Sequence, residues 1–165
     1  MKLYGIAACD TQGGMGYQGT LPWDLPQEKA FFRKQTLHQT LIMGHTTYLG
    51  LPQSLLLNRD FIVLTKTNKE SLTPHLFYAR DDLESLQLAK QFPRQKSYVI
   101  GGSLIFNLFF SKKAIHELYL TFIPGTYLSD TFFPLHYLKD ALQKTLFYKE
   151  KGFEVFRYVF SEEKK

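Results

Sequence analysis

The sequence predicts an α/β fold: a single domain over residues 1–165, built on a central, mostly parallel twisted sheet of about eight strands, with an antiparallel C-terminal strand and helices on both faces. Three observations carry this. Strand patterns alternate with helix patterns along the chain, as expected for parallel strands joined by helical crossovers. Strand segments such as Leu3 to Cys9 and Ser97-Tyr98-Val99-Ile100 read as buried. The last stretch, from about Gln143 to Phe160, reads as two strands around Lys151-Gly152, an antiparallel end.

In order, Leu3 to Cys9 is the first strand. Asp10 to Gly19 holds four glycines and is too long for a plain connector, so it reads as a mobile loop. Leu25 to Thr36 is the first helix. Asp24 caps it, Pro26 suits its first turn, and Gln27 completes a capping box three residues after the cap. Thr40-Leu41-Ile42-Met43 is a short strand running into Gly44-His45-Thr46-Thr47-Tyr48, a helix start. Leu51 to Asn58 is a loop. Arg59 to Thr65 is a strand rich in Phe, Ile, Val and Leu, and Leu76-Phe77-Tyr78 is a shorter one. Asp81 caps a helix from Asp82 to about Gln91, with Glu84 completing a second capping box. Ser97 to Ile100 feeds Gly101-Gly102, Ser103 to Phe110 is a helix, and Ile115 to Phe122 is a strand. No repeat, low-complexity tract or linker interrupts the series.

Hydrophobic residues at 44%, aromatics at 16% and charged residues at 21% describe a globular chain rather than a disordered one. No apolar run approaches a membrane span, so no membrane partner is expected. Met1 to Asp10 lacks a signal-peptide core with a small-residue cleavage site, and the cytoplasm is the expected compartment. Cys9 is the one cysteine, which excludes an intrachain disulfide framework and gives no zinc pattern. The net charge of +5 and pI near 9.2 fit either nucleic acid or anionic small ligands. The positive residues form no single dense run, and pairs such as Lys112-Lys113 and Lys164-Lys165 are scattered. A small ligand is therefore expected, without nucleic acid, on a monomer.

The chemistry concentrates in Leu21-Pro22-Trp23-Asp24-Leu25-Pro26-Gln27-Glu28. Glu28 falls in the first helical turn. Phe32 shares its face and Phe31 borders it. A carboxylate aimed at an apolar pocket is costly unless something cationic or hydrogen-bonding meets it. A flat, nitrogen-rich ligand donating one hydrogen bond to each oxygen answers that need. Taken alone, Glu28 reads as a common dipole-stabilising carboxylate; the tryptophan-proline loop before it and the paired phenylalanines after it favour a site.

Gly101-Gly102 follows a buried strand and precedes a helix, where a phosphate can sit against backbone N–H groups. The full GxGxxG fingerprint is absent, and a tight turn is the plain alternative. Gly44-His45-Thr46-Thr47 repeats the geometry: Thr47 offers a hydroxyl and an N–H, with a Thr-capped helix as the alternative. His45 alone reads as a surface histidine. Arg59 is a strand-end charge or a bidentate clamp for a carboxylate. Lys66 is a surface charge or a partner for a ligand phosphate, and Cys9 is a small buried residue.

Placed in order, these pieces resemble the dihydrofolate reductase family. The carriers are Ile6-Ala7-Ala8, Leu21-Pro22-Trp23-x-Leu25-Pro26-x-Glu28, Phe32, Thr36, Ile42-Met43-Gly44-x-x-Thr47, Arg59, Ile100-Gly101-Gly102, Leu118-Tyr119-Leu120-Thr121 and Asp130-Thr131-x-Phe133-Pro134. They run in family order over nearly the whole chain. The resemblance implies NADPH-dependent reduction of dihydrofolate to tetrahydrofolate by hydride transfer. Glu28 matches the acid that holds the pterin and assists its protonation, Trp23 the tryptophan that shields the site, and Thr121 the threonine bonded to the acid. Leu21 belongs to the loop that closes over the nicotinamide. Phe32 packs on the substrate's rings, and Arg59 clamps the glutamate tail. Ile6, Ala8 and Ile100 line the pterin and nicotinamide pockets. Thr47, Gly101 and Gly102 match cofactor-phosphate contacts, and the resemblance also places Gly16, Thr46, Leu64 and Ser103 at the cofactor.

Four positions depart from the common pattern. His45 stands where an arginine is usual near the cofactor phosphates, Ser103 replaces the third glycine, and Leu104 stands where some members carry a basic residue. Lys29 follows the acid, where an apolar residue usually contacts the ligand. Thr65, Lys66 and Thr67 remain to hold the adenosine phosphate. The rival readings are a reductase of another pterin or of a pyrimidine ribitol, and a non-catalytic binding module. Glu28 together with Arg59 favours a folate, because only a folate needs both an acid for the ring and a clamp for the tail.

Overall fold

The computed structural model describes residues 1–67, 69–71 and 73–161, so the pair Lys164-Lys165 lies outside the described residues. The first half of the chain forms β1 (Leu3–Asp10), β2 (Gly14–Gly16), α1 (Pro26–Thr36), β3 (Thr40–Gly44), α2 (His45–Leu49), β4 (Asp60–Leu64), β5 (Leu76–Ala79) and α3 (Asp82–Ala89). The second half forms β6 (Ser97–Gly101), α4 (Ser103–Ser111), β7 (Glu117–Ile123), β8 (Thr131–Phe132), β9 (Gln143–Glu150) and β10 (Phe153–Val159). Eight strands make one sheet in the order β5-β4-β3-β6-β1-β7-β10-β9. The first six in that order are parallel. β10 runs antiparallel to β7, and β9 to β10, as the C-terminal pattern predicts.

Strand side chains alternate between two cores. In β1, Leu3, Ala7 and Cys9 face one core, while Tyr4, Ile6 and Ala8 face the other. The first is closed by Ala89 of α3 and by Phe106, Phe109 and Phe110 of α4. The second is covered by Phe31 and Phe32 of α1 and Tyr48 of α2. Both faces of the central strands are thus buried, which is why their sequences lack a polar face. The chain leaves β1 through α1 to reach β3, and leaves β6 through α4 to reach β7. The two connections depart in opposite directions, so the carboxyl ends of β1 and β6 form a topological switch point, the place where open α/β sheets bind ligands.

Three local expectations are corrected. Asp24 does not cap α1: the N-cap is Leu25, in an extended conformation and without a side-chain cap. The Asp24 carboxylate instead meets the Lys29 ammonium at 3.0 Å, so an exposed ion pair replaces the capping box. By contrast, Asp81 caps α3 as expected, accepting from the Glu84 N–H at 2.8 Å. Second, the glycine-rich stretch 10–19 is not wholly loop, because β2 pairs antiparallel with β8 in a separate two-stranded sheet. Third, the loop 51–58 contains a 3₁₀ turn at Gln53–Leu56.

Candidate active site

Glu28 sits in the first turn of α1 and is 5% exposed. Its Oε2 and the indole Nε1 of Trp23 are both buried without a hydrogen-bond partner among the described residues. Burial raises the pKa of Glu28 above the ordinary carboxylate value. The nearby indole N–H and the Lys29 charge pull it partly back, although the indole does not close a hydrogen bond. A buried acceptor and a buried donor left open side by side carry a desolvation penalty that a ligand offering the complementary groups removes.

The wall around this acid comes from the sheet face under α1. Ile6 and Ala8 of β1 lie in register with Tyr119 and Thr121 of β7. Ile6, Ala8, Ile100, Trp23 and Phe32 pack on one cluster, as their assignment to one pocket requires. Phe31, Leu51 and Leu56 join it, and sequence reasoning did not single out the two leucines. Thr121 is buried on β7, and no hydrogen bond joins it to Glu28 among the described residues. Leu21 is exposed. Lys29 is turned to Asp24, with its side chain 47% exposed.

Arg59 is buried just before β4, and its guanidinium is largely engaged. Nε donates to Thr36 Oγ1 at 3.2 Å, Nη1 to the carbonyls of Leu57 at 2.8 Å and Leu55 at 3.5 Å, and Nη2 to the Arg33 carbonyl at 2.8 Å. Burial and the neighbouring Arg33 charge lower its pKa. The expected free fork is therefore caged. One Nη2 hydrogen remains, and the long Leu55 contact is the one that yields most readily to a stronger acceptor.

The glycines and threonines expected at the cofactor phosphates lie at and just past the carboxyl ends of β3 and β6. Gly101 has φ of 129°, a conformation that favours glycine. A Cβ on Gly102 would stand 3.5 Å from Thr47 Oγ1, so the carboxyl ends of β3 and β6 converge there. Thr46 is exposed beside it. Ser103 donates its hydroxyl to the Phe132 carbonyl at 2.8 Å, and Leu104 projects into solvent. Gly16 pairs with Thr131, and Leu64 belongs to the core under α3.

A polar pocket of about 570 Å³ lies past β4 and β5, lined by Thr65, Thr67, Lys69, Tyr78, Arg80 and Glu84 among others. Lys66 is exposed between the two threonines. Arg80 and Lys69 went unnoticed in the sequence. The available signal was that Arg80 directly follows β5 and Thr65 directly follows the parallel β4, so both open at the same edge. His45 Nε2 lies 3.0 Å from the Lys69 ammonium. An ammonium only donates, so that ring nitrogen acts as the acceptor.

An acid left open on an apolar face, glycine and threonine at the strand ends, and a polar pocket past the sheet edge fit an α/β domain of the dinucleotide-dependent oxidoreductase class. Comparison with known proteins is more specific. The family model described as dihydrofolate reductase matches residues 2–161. A dihydrofolate reductase of Enterococcus faecium is 37% identical over 127 residues, covering 76% of this chain and 73% of that protein. One from Buchnera aphidicola subsp. Schizaphis graminum is 32% identical over 152 residues, covering 91% and 89%. The solved structure of dihydrofolate reductase from Enterococcus faecalis, complexed with NADP(H) and RAB-propyl, superimposes with a TM-score of 0.76 at 32% identity, covering 96% of this chain and 95% of that one. The chain belongs to the dihydrofolate reductase family, whose members are NADPH-dependent enzymes.

Proposed function

We propose that this chain reduces dihydrofolate to tetrahydrofolate with Glu28 as its single acid, acting as a cytoplasmic monomer whose residues 1–165 form one working domain. The observation that carries the reading is the open oxygen of buried Glu28 beside the open indole N–H of Trp23. A pterin donates from its amino group and ring nitrogen to the two carboxylate oxygens. The raised pKa lets Glu28 hold a proton nearer neutrality and favour protonation of the ring imine. Ile6, Ala8, Ile100 and Phe32 keep water from the reacting ring. Arg59 receives the tail carboxylate through its remaining Nη2 hydrogen and the one it lends to Leu55.

The residues present fit NADPH. Thr47 with Gly101 and Gly102 suits its pyrophosphate, and Thr65, Lys66 and Arg80 suit its adenosine phosphate. When bound, the cofactor supplies the hydride. The diffuse charge of +5 suits these anions, and nucleic acid is not among the proposed partners. The test follows NADPH absorbance on adding dihydrofolate, then dihydrobiopterin. Consumption with dihydrofolate at the higher kcat/KM supports the reading. A preference for dihydrobiopterin, or no consumption with either, overturns it.

A further inference from the structure

We infer that Asp10 is a positioning residue: its carboxylate ties the glycine-rich segment 11–19 to the segment 124–130 and thereby seats Trp23 over Glu28. The inference rests on the reading of Trp23 and Glu28 as the site.

Asp10 ends β1 and is 1% exposed. No cation meets it among the described residues; three backbone N–H groups do. Oδ1 accepts from Gln12 at 2.9 Å and Gly14 at 2.8 Å, and Oδ2 accepts from Tyr127 at 2.8 Å. The two segments it joins are more than a hundred residues apart in sequence. Gly14 is fitted to this carboxylate: a Cβ there would come within 2.8 Å of Asp10 Oδ2 and 2.4 Å of Ser129 Oγ.

The tie reaches the site through Tyr127. Its ring meets the Trp23 ring edge-on at 5.7 Å. Asp10 therefore touches neither Glu28 nor any reacting atom, but it fixes the backbone whose side chain holds the indole. Only a carboxylate can accept on both oxygens. Asparagine offers one oxygen, so an amide N–H group must face either Tyr127 or the Gln12–Gly14 pair. That leaves a repulsive donor–donor contact in a buried place.

The test is Asp10→Asn in the full chain. Trp23 is the one tryptophan, so its fluorescence reports this seat alone. The expected result is a red-shifted emission and stronger acrylamide quenching than wild type. The kcat with dihydrofolate and NADPH falls by about tenfold, the equivalent of one modest hydrogen bond, while KM moves much less. A lower Tm with emission, quenching and kcat unchanged makes Asp10 merely structural and overturns the inference. If Asp10→Asn does not fold, Tyr127→Ala takes its place: it keeps the backbone N–H for Asp10 and removes the ring. The same Trp23 signature then supports the relay, and an unchanged signature overturns it. A wild type inactive on dihydrofolate defeats the proposed function, whereas the fluorescence arm still judges Asp10.

Discussion

Replacing Glu28 by glutamine keeps the shape of the side chain and removes its charge. Two effects of opposite sign follow from its surroundings. In the site, two oxygens that accept from a pterin become one oxygen and one unwanted donor. Losing one charge-assisted hydrogen bond costs about 1.5–3 kcal/mol, or roughly 10- to 150-fold in pterin affinity. Losing the acid removes a further ~10²- to 10⁴-fold in turnover. In the free protein the effect reverses. Burial raises the pKa of Glu28, so the folded state binds its proton more tightly than the unfolded chain does. That contribution is present below the ordinary carboxylate value and is lost as pH rises through the raised one. Glutamine does not titrate, so the Tm of Glu28→Gln relative to wild type climbs as pH rises from the ordinary carboxylate value through the raised folded one. The assay pairs NADPH consumption across pH with thermal unfolding of the free protein. The rate deficit shrinks at low pH, where substrate arrives already protonated. A near-normal rate at neutral pH, or a relative Tm that falls as pH rises, refutes the assignment of Glu28 as a buried, unpaired acid.

Three further outcomes are expected. Arg59→Leu lowers folate affinity by about 1.5–3 kcal/mol and spares a pterin lacking the glutamate. Because Arg59 also bonds Thr36 and the Arg33 and Leu57 carbonyls, urea unfolding should show a loss of about 1–3 kcal/mol; equal weakening of both ligands would show that it clamps no tail. Arg80→Gln raises KM for NADPH roughly tenfold or more and leaves NADH unchanged, and an equal shift for both would place Arg80 outside the adenosine-phosphate pocket. His116 accepts the Leu3 N–H on Nδ1 at 2.9 Å, and burial lowers its pKa. Its contribution is present above the unfolded histidine value of about 6.5 and is lost as pH falls through the lower folded value. Unfolding free energy should therefore decline below about pH 6.5, and His116→Gln should flatten that slope; an unaltered slope in the variant would refute it.

The sequence by itself determined the order of strands and helices, because hydrophobic pattern is a local property. A strand buried on both faces has to read as β1 does, and Asp81 reaches its cap within one turn of chain. It also singled out Glu28 as the candidate acid, since the tryptophan-proline loop and the paired phenylalanines lie within a few residues of it. Tertiary structure decided the rest. β2 has no strand signal of its own and exists because β8 lies beside it. Asp24 had a cap within reach, but extended Leu25 took that position and Lys29 took the carboxylate. The caging of Arg59 by Thr36, Arg33 and Leu57, the meeting of Arg80 with Thr65, and the bond from Tyr127 to Asp10 all join segments that local pattern treats separately. Local sequence sets which face of an element is apolar, but the partner that meets it depends on sheet order and on which way each connection crosses, and those are settled only when the whole core packs.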